Sequence, residues 1–136
     1  MQINPFLSFG GRCLEAMNFY KHCFDGELTV QKVSESSLAG IMPPQYDDQV
    51  FHCSLTWDGI TIMATDMTRE KLVFGNAMQI CITCASEEEI EYIFDYLSVD
   101  GTVIDPLQHM FFGTLGTLTD KFGIRWLLNF PNEDDN

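Results

Sequence analysis

The stretch Met17-Asn-Phe-Tyr-Lys-His-Cys-Phe-Asp-Gly-Glu-Leu28 decides the fold, because the chain repeats its pattern once. The second copy, Tyr92-Ile-Phe-Asp-Tyr-Leu-Ser-Val-Asp-Gly-Thr-Val103, lies 75 residues further on and carries Phe and Asp-Gly at matching positions. Each copy follows an alternating apolar segment and precedes a predicted hairpin. A duplicated unit stacks against its copy to bury a shared core. We therefore expect function in a cleft between the two copies.

The first copy is predicted to be a βαβββ unit. Residues 4–9 and 27–33 have the pattern of strands, and residues 12–24 have helical periodicity. Asp25-Gly26 ends the helix, and we expect the glycine in the left-handed position of the cap. Residues 34–49 are typical of a loop. Residues 50–57 and 60–66 form a hairpin, because Asp58-Gly59 is a strong two-residue turn signal.

The second copy gives the same order of elements. A strand over residues 77–84 precedes a helix that Ser86 and Glu89 begin with a capping box. After Asp100-Gly101 we expect a short strand over residues 102–104, stopped by Pro106, and then a loop over residues 107–112. The last hairpin joins residues 113–119 and 124–130. The chain is thus predicted to be α+β, a single domain over residues 1–136 with internal repeats at about 1–66 and 76–130.

The charge of the chain limits its partners. Net charge is −13 at pH 7, from 20 acidic and 7 basic residues. Nucleic-acid binding needs clustered Lys and Arg, and here the basic residues are scattered, so we expect neither nucleic acid nor a membrane as partner. An acidic field favours a cationic ligand, and it also fits an ordinary soluble acidic surface.

No segment of the sequence indicates a membrane or an export signal. No apolar stretch reaches the ~20 residues of a membrane span, and the start Met1-Gln-Ile-Asn-Pro5 lacks the pattern of a signal peptide. The five cysteines have no framework spacing, which favours free thiols in a reducing compartment. We therefore expect a cytoplasmic protein. Cys81 and Cys84 match C-x-x-C by count only, and we interpret both as packing residues.

Alternation along the strands separates an apolar face from a mixed face. The mixed set contains Thr61, Met63 and Thr65 in one strand and Arg125, Leu127 and Asn129 in another. Such a face lines a ligand cleft in some proteins and faces bulk water in others. The register of the Asp58-Gly59 hairpin places His52 on the mixed face, either as a tunable acid–base group or as a structural histidine.

Several motifs together match a known family pattern. They are Asn4-Pro-Phe-Leu-Ser-Phe9, Glu15-Ala-Met-Asn-Phe-Tyr20, Phe24-Asp-Gly-Glu-Leu28, Gly101-Thr-Val103, Asp105-Pro-Leu-Gln108, Phe111-Phe-Gly113 and Thr119-Asp-Lys-Phe-Gly-Ile-Arg-Trp126. With these motifs the chain resembles the vicinal oxygen chelate superfamily, which includes glyoxalase I, bleomycin-resistance protein and extradiol dioxygenases, and in particular its PhnB-like branch. The resemblance implies a glyoxalase-like pair of half-barrels and a homodimer. It also implies four metal-ligand positions, which in metal-dependent members hold His and Glu.

Those four positions depart from the superfamily pattern. They fall on Pro5, Met63, Gln79 and Leu127, and none of these is a His or Glu. A divalent cation needs several nitrogen or carboxylate ligands, so we expect no metal and no cofactor, unless His52 or His109 rebuilds a site elsewhere. The aromatic loop is also one residue shorter than in PhnB-like chains.

Three functions remain open from the sequence. The first is a binding protein that holds a small molecule in a metal-free cleft. The second is a lyase or dioxygenase-like enzyme of the same superfamily, with His52 or His109 as the catalytic acid–base group, either without metal or with a relocated divalent ion. The third is a dimeric interaction protein whose cleft is filled by its own side chains. The candidate substrate-binding residues are Thr61, Met63, Thr65, Gln79, Thr83, Phe111, Phe112, Arg125, Leu127 and Asn129.

Overall fold

The structure, a computed structural model, describes residues 1–132. The chain divides into two compact units, Met1–Val73 and the part from Phe74 onward. Each unit has one α-helix and a mixed sheet of four strands in the order βαβββ, which confirms the predicted α+β class with two βαβββ modules. Neither helix is both long enough and apolar enough to cross a membrane.

The first unit consists of β1 (Phe6–Ser8), α1 (Cys13–Phe24), β2 (Glu27–Lys32), β3 (Val50–Trp57) and β4 (Ile60–Thr65). The strand order is β1-β4-β3-β2, with β1 parallel to β4 and the other pairs antiparallel. Helix α1 packs on one face of this sheet. The buried side chains between them include Met17, Tyr20, Leu55 and Ile62, each at most 1% exposed.

The turn between β3 and β4 has the predicted geometry. Asp58 and Gly59 have φ of 47° and 77°, as a type I′ turn requires. The ladder pairs Trp57 with Ile60 and Ser54 with Met63, as the turn predicted. The side chains of β3 and β4 therefore lie on the faces assigned from the sequence.

The buried carboxylate of Asp66 anchors the start of α1. The N-cap residue, Arg12, makes no capping hydrogen bond with its side chain. Instead, Asp66 Oδ1 accepts from the N–H groups of Gly11 at 2.7 Å and Cys13 at 2.9 Å, while Oδ2 accepts from Val50 N–H at 2.9 Å. A residue that follows β4 thus satisfies orphan donors of the helix and ties α1 to β3.

The second unit consists of β5 (Ile80–Thr83), α2 (Glu87–Leu97), β6 (Thr102–Met110), β7 (Gly113–Thr119) and β8 (Arg125–Pro131), with strand order β5-β8-β7-β6. The predicted cap of α2 is present. Ser86 Oγ accepts from Glu89 N–H at 3.1 Å, and the Glu89 carboxylate accepts from Ala85 N–H. Trp126 and Leu128 of β8 are completely buried.

The prediction that the strand beginning at residue 102 stops at Pro106 is wrong. Strand β6 does not stop at Pro106 but runs through it to Met110, over part of the segment predicted as a loop. It is the edge strand of its sheet, where a proline costs no ladder hydrogen bond on its outer side. The register shifts on both sides of Asp105, so the strand continues past Pro106 by bulging.

The Asp-Gly pairs at the helix ends also differ from the prediction. The left-handed residues are the aspartates, with φ of 52° at Asp25 and 57° at Asp100. The glycines are needed for space instead. A Cβ on Gly26 would lie 2.8 Å from the Thr56 carbonyl oxygen, and one on Gly101 would collide with the carbonyl oxygen of Thr119. The Asp-Gly dipeptide therefore recurs because, at both positions, the backbone passes close to the neighbouring strand.

Candidate functional site

Each sheet has one face covered by its helix and one face open to solvent. In the first unit the open face carries Ser54, Thr61 and Met63, all partly exposed, while Cys53, Leu55 and Ile62 on the opposite face are buried. The edge strand β1 adds Phe6, which is 52% exposed and pairs with Met63. This face therefore mixes hydroxyl groups with accessible apolar surface.

His52 lies on the same open face, on β3, and its ring is near Phe6 of β1. Its ring centroid is 6.0 Å from that of Phe6, with the planes tilted by 44°. The imidazole has no hydrogen-bond partner among residues 1–132. Its nitrogens are thus available to a ligand, and its role as an acid–base group stays a prediction.

Thr65 occupies the end of this face and is only 5% exposed. Its hydroxyl donates to Phe51 O at 2.7 Å and accepts from Met67 N–H at 2.9 Å. Because the hydroxyl both donates and accepts a hydrogen bond within the fold, it stabilises the end of β4. Thr61 and Ser54 provide the more accessible hydroxyl groups.

The open face of the second unit is built from β8 and its neighbours. Leu127 and Asn129 are half-buried on β8 and pair in parallel register with Cys81 and Thr83, which are exposed. Arg125 begins β8 on the same face. Gln79, predicted inside a strand, lies just before β5 and is exposed.

Cys81 is a correction to the prediction that both cysteines of the C-x-x-C pattern pack inside. Cys84 is 4% exposed, and burial raises the pKa of its thiol to about 12. Cys81 is exposed on the open face instead. Residues three apart in a strand point to opposite faces, so the two thiols cannot share one environment.

The candidate residues Phe111 and Phe112 and the aromatic residue Trp57 lie in different places. Phe111 and Phe112 occupy the turn between β6 and β7, with ring centroids 5.3 Å apart at 85°, and Phe111 is 92% exposed. Trp57 stacks on Phe24 of α1, with centroids 4.2 Å apart and planes within 5°. Trp57 therefore belongs to the helix-covered side of its sheet.

The four positions that the resemblance implies as metal-ligand positions do not offer a set of metal-binding side chains. Met63 donates its N–H to the Pro5 carbonyl at 3.0 Å, and their side chains offer a thioether and a proline ring. Leu127 has no donor atom in its side chain, and Gln79 offers one amide. Hard or borderline cations require several oxygen or nitrogen ligands, so these residues do not fit a divalent metal. Among residues 1–132, no three His, Cys, Asp or Glu side chains lie close enough together to hold a metal ion elsewhere.

A cluster that the sequence did not predict lies at the start of α2. His109 Nδ1 is 3.1 Å from Glu87 Oε1 and 2.9 Å from Thr114 Oγ1, and the Thr114 hydroxyl donates to Glu87. The sequence indicated only that the Glu run begins a helix. The link to His109 depends on β6 reaching residue 110, which the sequence pattern did not show.

The first unit contains a buried thiol pair. The Sγ atoms of Cys13 on α1 and Cys53 on β3 are 3.4 Å apart. Their hydrogen bond, together with burial, raises the pKa of Cys13, while the same hydrogen bond lowers the pKa of Cys53. Both residues are at most 1% exposed, so the pair belongs to the core.

Solved structures of the same fold have been determined for several bacterial proteins. Protein PA1353 from Pseudomonas aeruginosa is 28% identical, covers 96% of this chain and 98% of its own, and superposes with a TM-score of 0.86. The PhnB protein from Bacillus cereus is 34% identical, with 96% and 99% coverage and a TM-score of 0.80. In a comparison of sequences alone, protein YjdN of Escherichia coli K12 is 26% identical over 141 residues, with 95% coverage of each chain.

More distant structures share the fold alone. A glyoxalase/bleomycin resistance protein/dioxygenase family enzyme from Burkholderia phytofirmans is 11% identical, with 96% coverage of each chain and a TM-score of 0.62.

The family described as 3-demethylubiquinone-9 3-methyltransferase matches residues 1–129. This chain therefore belongs to that family, and its 34% identity to the PhnB protein confirms the predicted PhnB-like resemblance.

Proposed function

We propose that this protein binds a small organic molecule on the open faces of its sheets and that binding requires no metal ion. One observation carries the proposal: both open faces present partly exposed apolar groups, Met63 and Leu127, at the positions where the superfamily places metal ligands. Polar groups share these faces: His52 and Thr61 that of Met63, and Thr83 and Asn129 that of Leu127. Ligand sites in proteins combine apolar walls with a few polar groups in this way.

The proposal leaves out the methyl transfer that the family's description names. Gly10-Gly11 between β1 and α1 is only a local likeness to the glycine-rich turns that hold cofactors at helix N-termini. Here the N–H groups of Gly11 and Cys13 are bound to the Asp66 carboxylate. Because these donors are used within the fold, this turn does not offer a cofactor site.

The neutral dye N-phenyl-1-naphthylamine tests the proposal, since its fluorescence rises when it enters an apolar site. We expect saturable binding that EDTA does not change. Replacing Met63 or Leu127 by Gln removes half-exposed apolar area worth about 1 kcal/mol on burial, which corresponds to roughly fivefold weaker binding. Ile41→Gln is the matched control, because Ile41 is 75% exposed in a loop away from the sheet.

Each outcome bears on a different part of the proposal. Saturable binding that Met63→Gln or Leu127→Gln weakens, and Ile41→Gln does not, supports binding on the open faces. Loss of binding with EDTA, restored by added Zn²⁺ or Mg²⁺, would overturn the metal-free part. Absence of saturable dye binding would overturn the binding function itself.

We also propose that the protein is a homodimer, as the superfamily resemblance implies. Light scattering coupled to size exclusion should give twice the 15.5 kDa mass of one chain. A mass of one chain at micromolar concentration would contradict the dimer and leave the binding proposal intact.

A further inference from the structure

A cavity of about 430 Å³ lies beside the turn between β7 and β8 in the second unit. Its lining residues are Phe74, Gly75, Asn76, Thr119, Gly123 and Arg125. Thr119 and Arg125 face each other across the first ladder pair of the hairpin. The cavity therefore opens beside the first strand residue of β8, on the same open face as Leu127.

Arg125 is the chemically unusual group of this cavity. Within residues 1–132 its side chain makes no ion pair and no hydrogen bond, and its Nε is fully buried without a partner. This is unexpected in a chain with 20 acidic residues and 7 basic ones, where an arginine has many possible carboxylate partners. A buried polar group without a partner costs about 1–3 kcal/mol, and more when it is charged.

The acid of the same hairpin cannot serve as the partner. Asp120 Oδ1 accepts from the N–H groups of Phe122 at 2.8 Å and Ile124 at 3.0 Å, and Oδ2 accepts from Trp126 Nε1 at 2.9 Å. Its carboxylate is 3% exposed and holds the turn together. The guanidinium is thus left facing a cavity rather than a protein carboxylate.

The remaining walls of the cavity determine what can enter it. The Phe74 ring lies on Gly123, where a Cβ would come within 2.7 Å of the ring, and φ of 93° also requires glycine there. Phe74 is 51% exposed, so one side of its ring is accessible. Asn76 and Thr119 add an amide and a hydroxyl. The cavity therefore combines a cation, two neutral polar groups and a flat apolar wall.

We propose that Arg125 is an oxyanion-binding residue, which holds a carboxylate or phosphate group of a small ligand whose apolar part lies against Phe74. A guanidinium matches the two oxygens of such a group with parallel hydrogen bonds. The Nη groups of Arg125, which are not buried as its Nε is, donate to the ligand from the wall of the cavity. This inference rests on the proposed binding function and adds the chemical class of the ligand.

An NMR titration of the full ¹⁵N-labelled chain tests the proposal with benzoate, inorganic phosphate and the neutral analogue benzamide. We expect benzoate to shift the Arg125 Nε–H signal and the Gly123 amide saturably, with a Kd of about 1 mM for a ligand of this size. Benzamide should not shift the Arg125 signal. If phosphate also binds saturably, the site accepts oxyanions in general. If benzoate binds and phosphate does not, the site is specific for carboxylates. Both results support the proposal.

Variants separate the role of Arg125 from general charge effects. Arg125→Gln should weaken benzoate binding at least tenfold, because a charge-assisted pair is lost. Arg125→Lys keeps the charge but loses the fork, so its affinity should lie between the two. Arg12→Gln is the control, since Arg12 is a surface residue paired with Glu15 at 3.3 Å, and it should bind as wild type does.

The proposal is overturned if neither anion binds saturably, if benzamide binds as well as benzoate, or if Arg125→Gln and Arg125→Lys both bind as wild type. Should Arg125→Gln fail to fold, the wild-type comparison of benzoate with benzamide and the Lys variant still decide. Dye binding without anion binding would reject this inference alone. Absence of both would reject the proposed function as well.

Discussion

The buried carboxylate of Asp66 offers a sharp test of how the first unit is held together. It accepts three backbone N–H groups, those of Gly11, Cys13 and Val50, at 2.7–2.9 Å. In Asp66→Asn the amide oxygen can keep the two donors of α1. The amide nitrogen then faces the Val50 N–H, and two donors oppose each other where an acceptor stood before.

The expected cost follows from these contacts. Val50 is 1% exposed, so its N–H loses its partner in a buried place, which costs about 1–3 kcal/mol. The two remaining bonds change from a charged acceptor to a neutral one, and charge-assisted hydrogen bonds are about twice as strong. With about 0.5–1 kcal/mol lost at each, the free energy of unfolding should fall by about 2–5 kcal/mol.

Urea unfolding followed by far-UV circular dichroism measures this change, with the protein concentration kept equal because association shifts apparent stability. Asp95→Asn is the control, because Asp95 is exposed on α2, and it should stay within about 0.5 kcal/mol of wild type. If Asp66→Asn also stays within that range, the carboxylate does not anchor α1, and the reasoning is refuted.

Three further predictions concern the Asp-Gly repeat and the cysteines. Gly101→Ala should destabilise the protein by about 1–3 kcal/mol, because its Cβ meets the backbone of Thr119 and Asp120. Gly75→Ala is the control in the same urea assay and should be neutral, because a Cβ there meets nothing within 4 Å. Equal effects of the two variants would contradict the close approach of Gly101 to the neighbouring strand. At pH 8, Ellman's reagent should react quickly with Cys81 alone and with Cys84 only after unfolding, and Cys81→Ser should abolish the fast phase. The pKa of Cys84 is raised from 9.0 to about 12 in the fold, so native Cys84 keeps a proton that the unfolded chain loses above pH 9. The free energy of unfolding should therefore fall as pH rises from 9 towards 12. Cys84→Ala should make this decrease with pH smaller, and an unchanged decrease would show that burial does not raise the pKa of the thiol.

The sequence predicted those features of the fold that depend on residues a few positions apart. The helical periodicity before Asp25, the cap at Ser86 and the turn at Asp58-Gly59 are local, and the structure has all of them. The hairpin turn also determined which side chains share the open face of β3 and β4, because side chains alternate strictly along a strand. The candidate residues of the first unit could therefore be assigned to a face before the structure was known.

The rest depended on partners distant in sequence. Strand β6 passes Pro106 because it is the edge of its sheet, a position that only the strand order reveals. That extension brings His109 to Glu87, 22 residues away. Whether an exposed-looking polar residue is already bonded within the fold, as Thr65 is, also cannot be read from alternation.

By itself, the sequence determined the duplicated βαβββ plan and the absence of His and Glu at the four positions that the resemblance implies as ligand positions, because both are properties of local pattern and residue type. The tertiary structure alone decided that Asp66 serves α1 across 53 to 55 positions, and that Arg125 is left without an acceptor beside a cavity. Satisfaction of a buried polar group depends on every chain segment packed around it. For that reason the chemistry of the proposed oxyanion site became visible only in the folded chain.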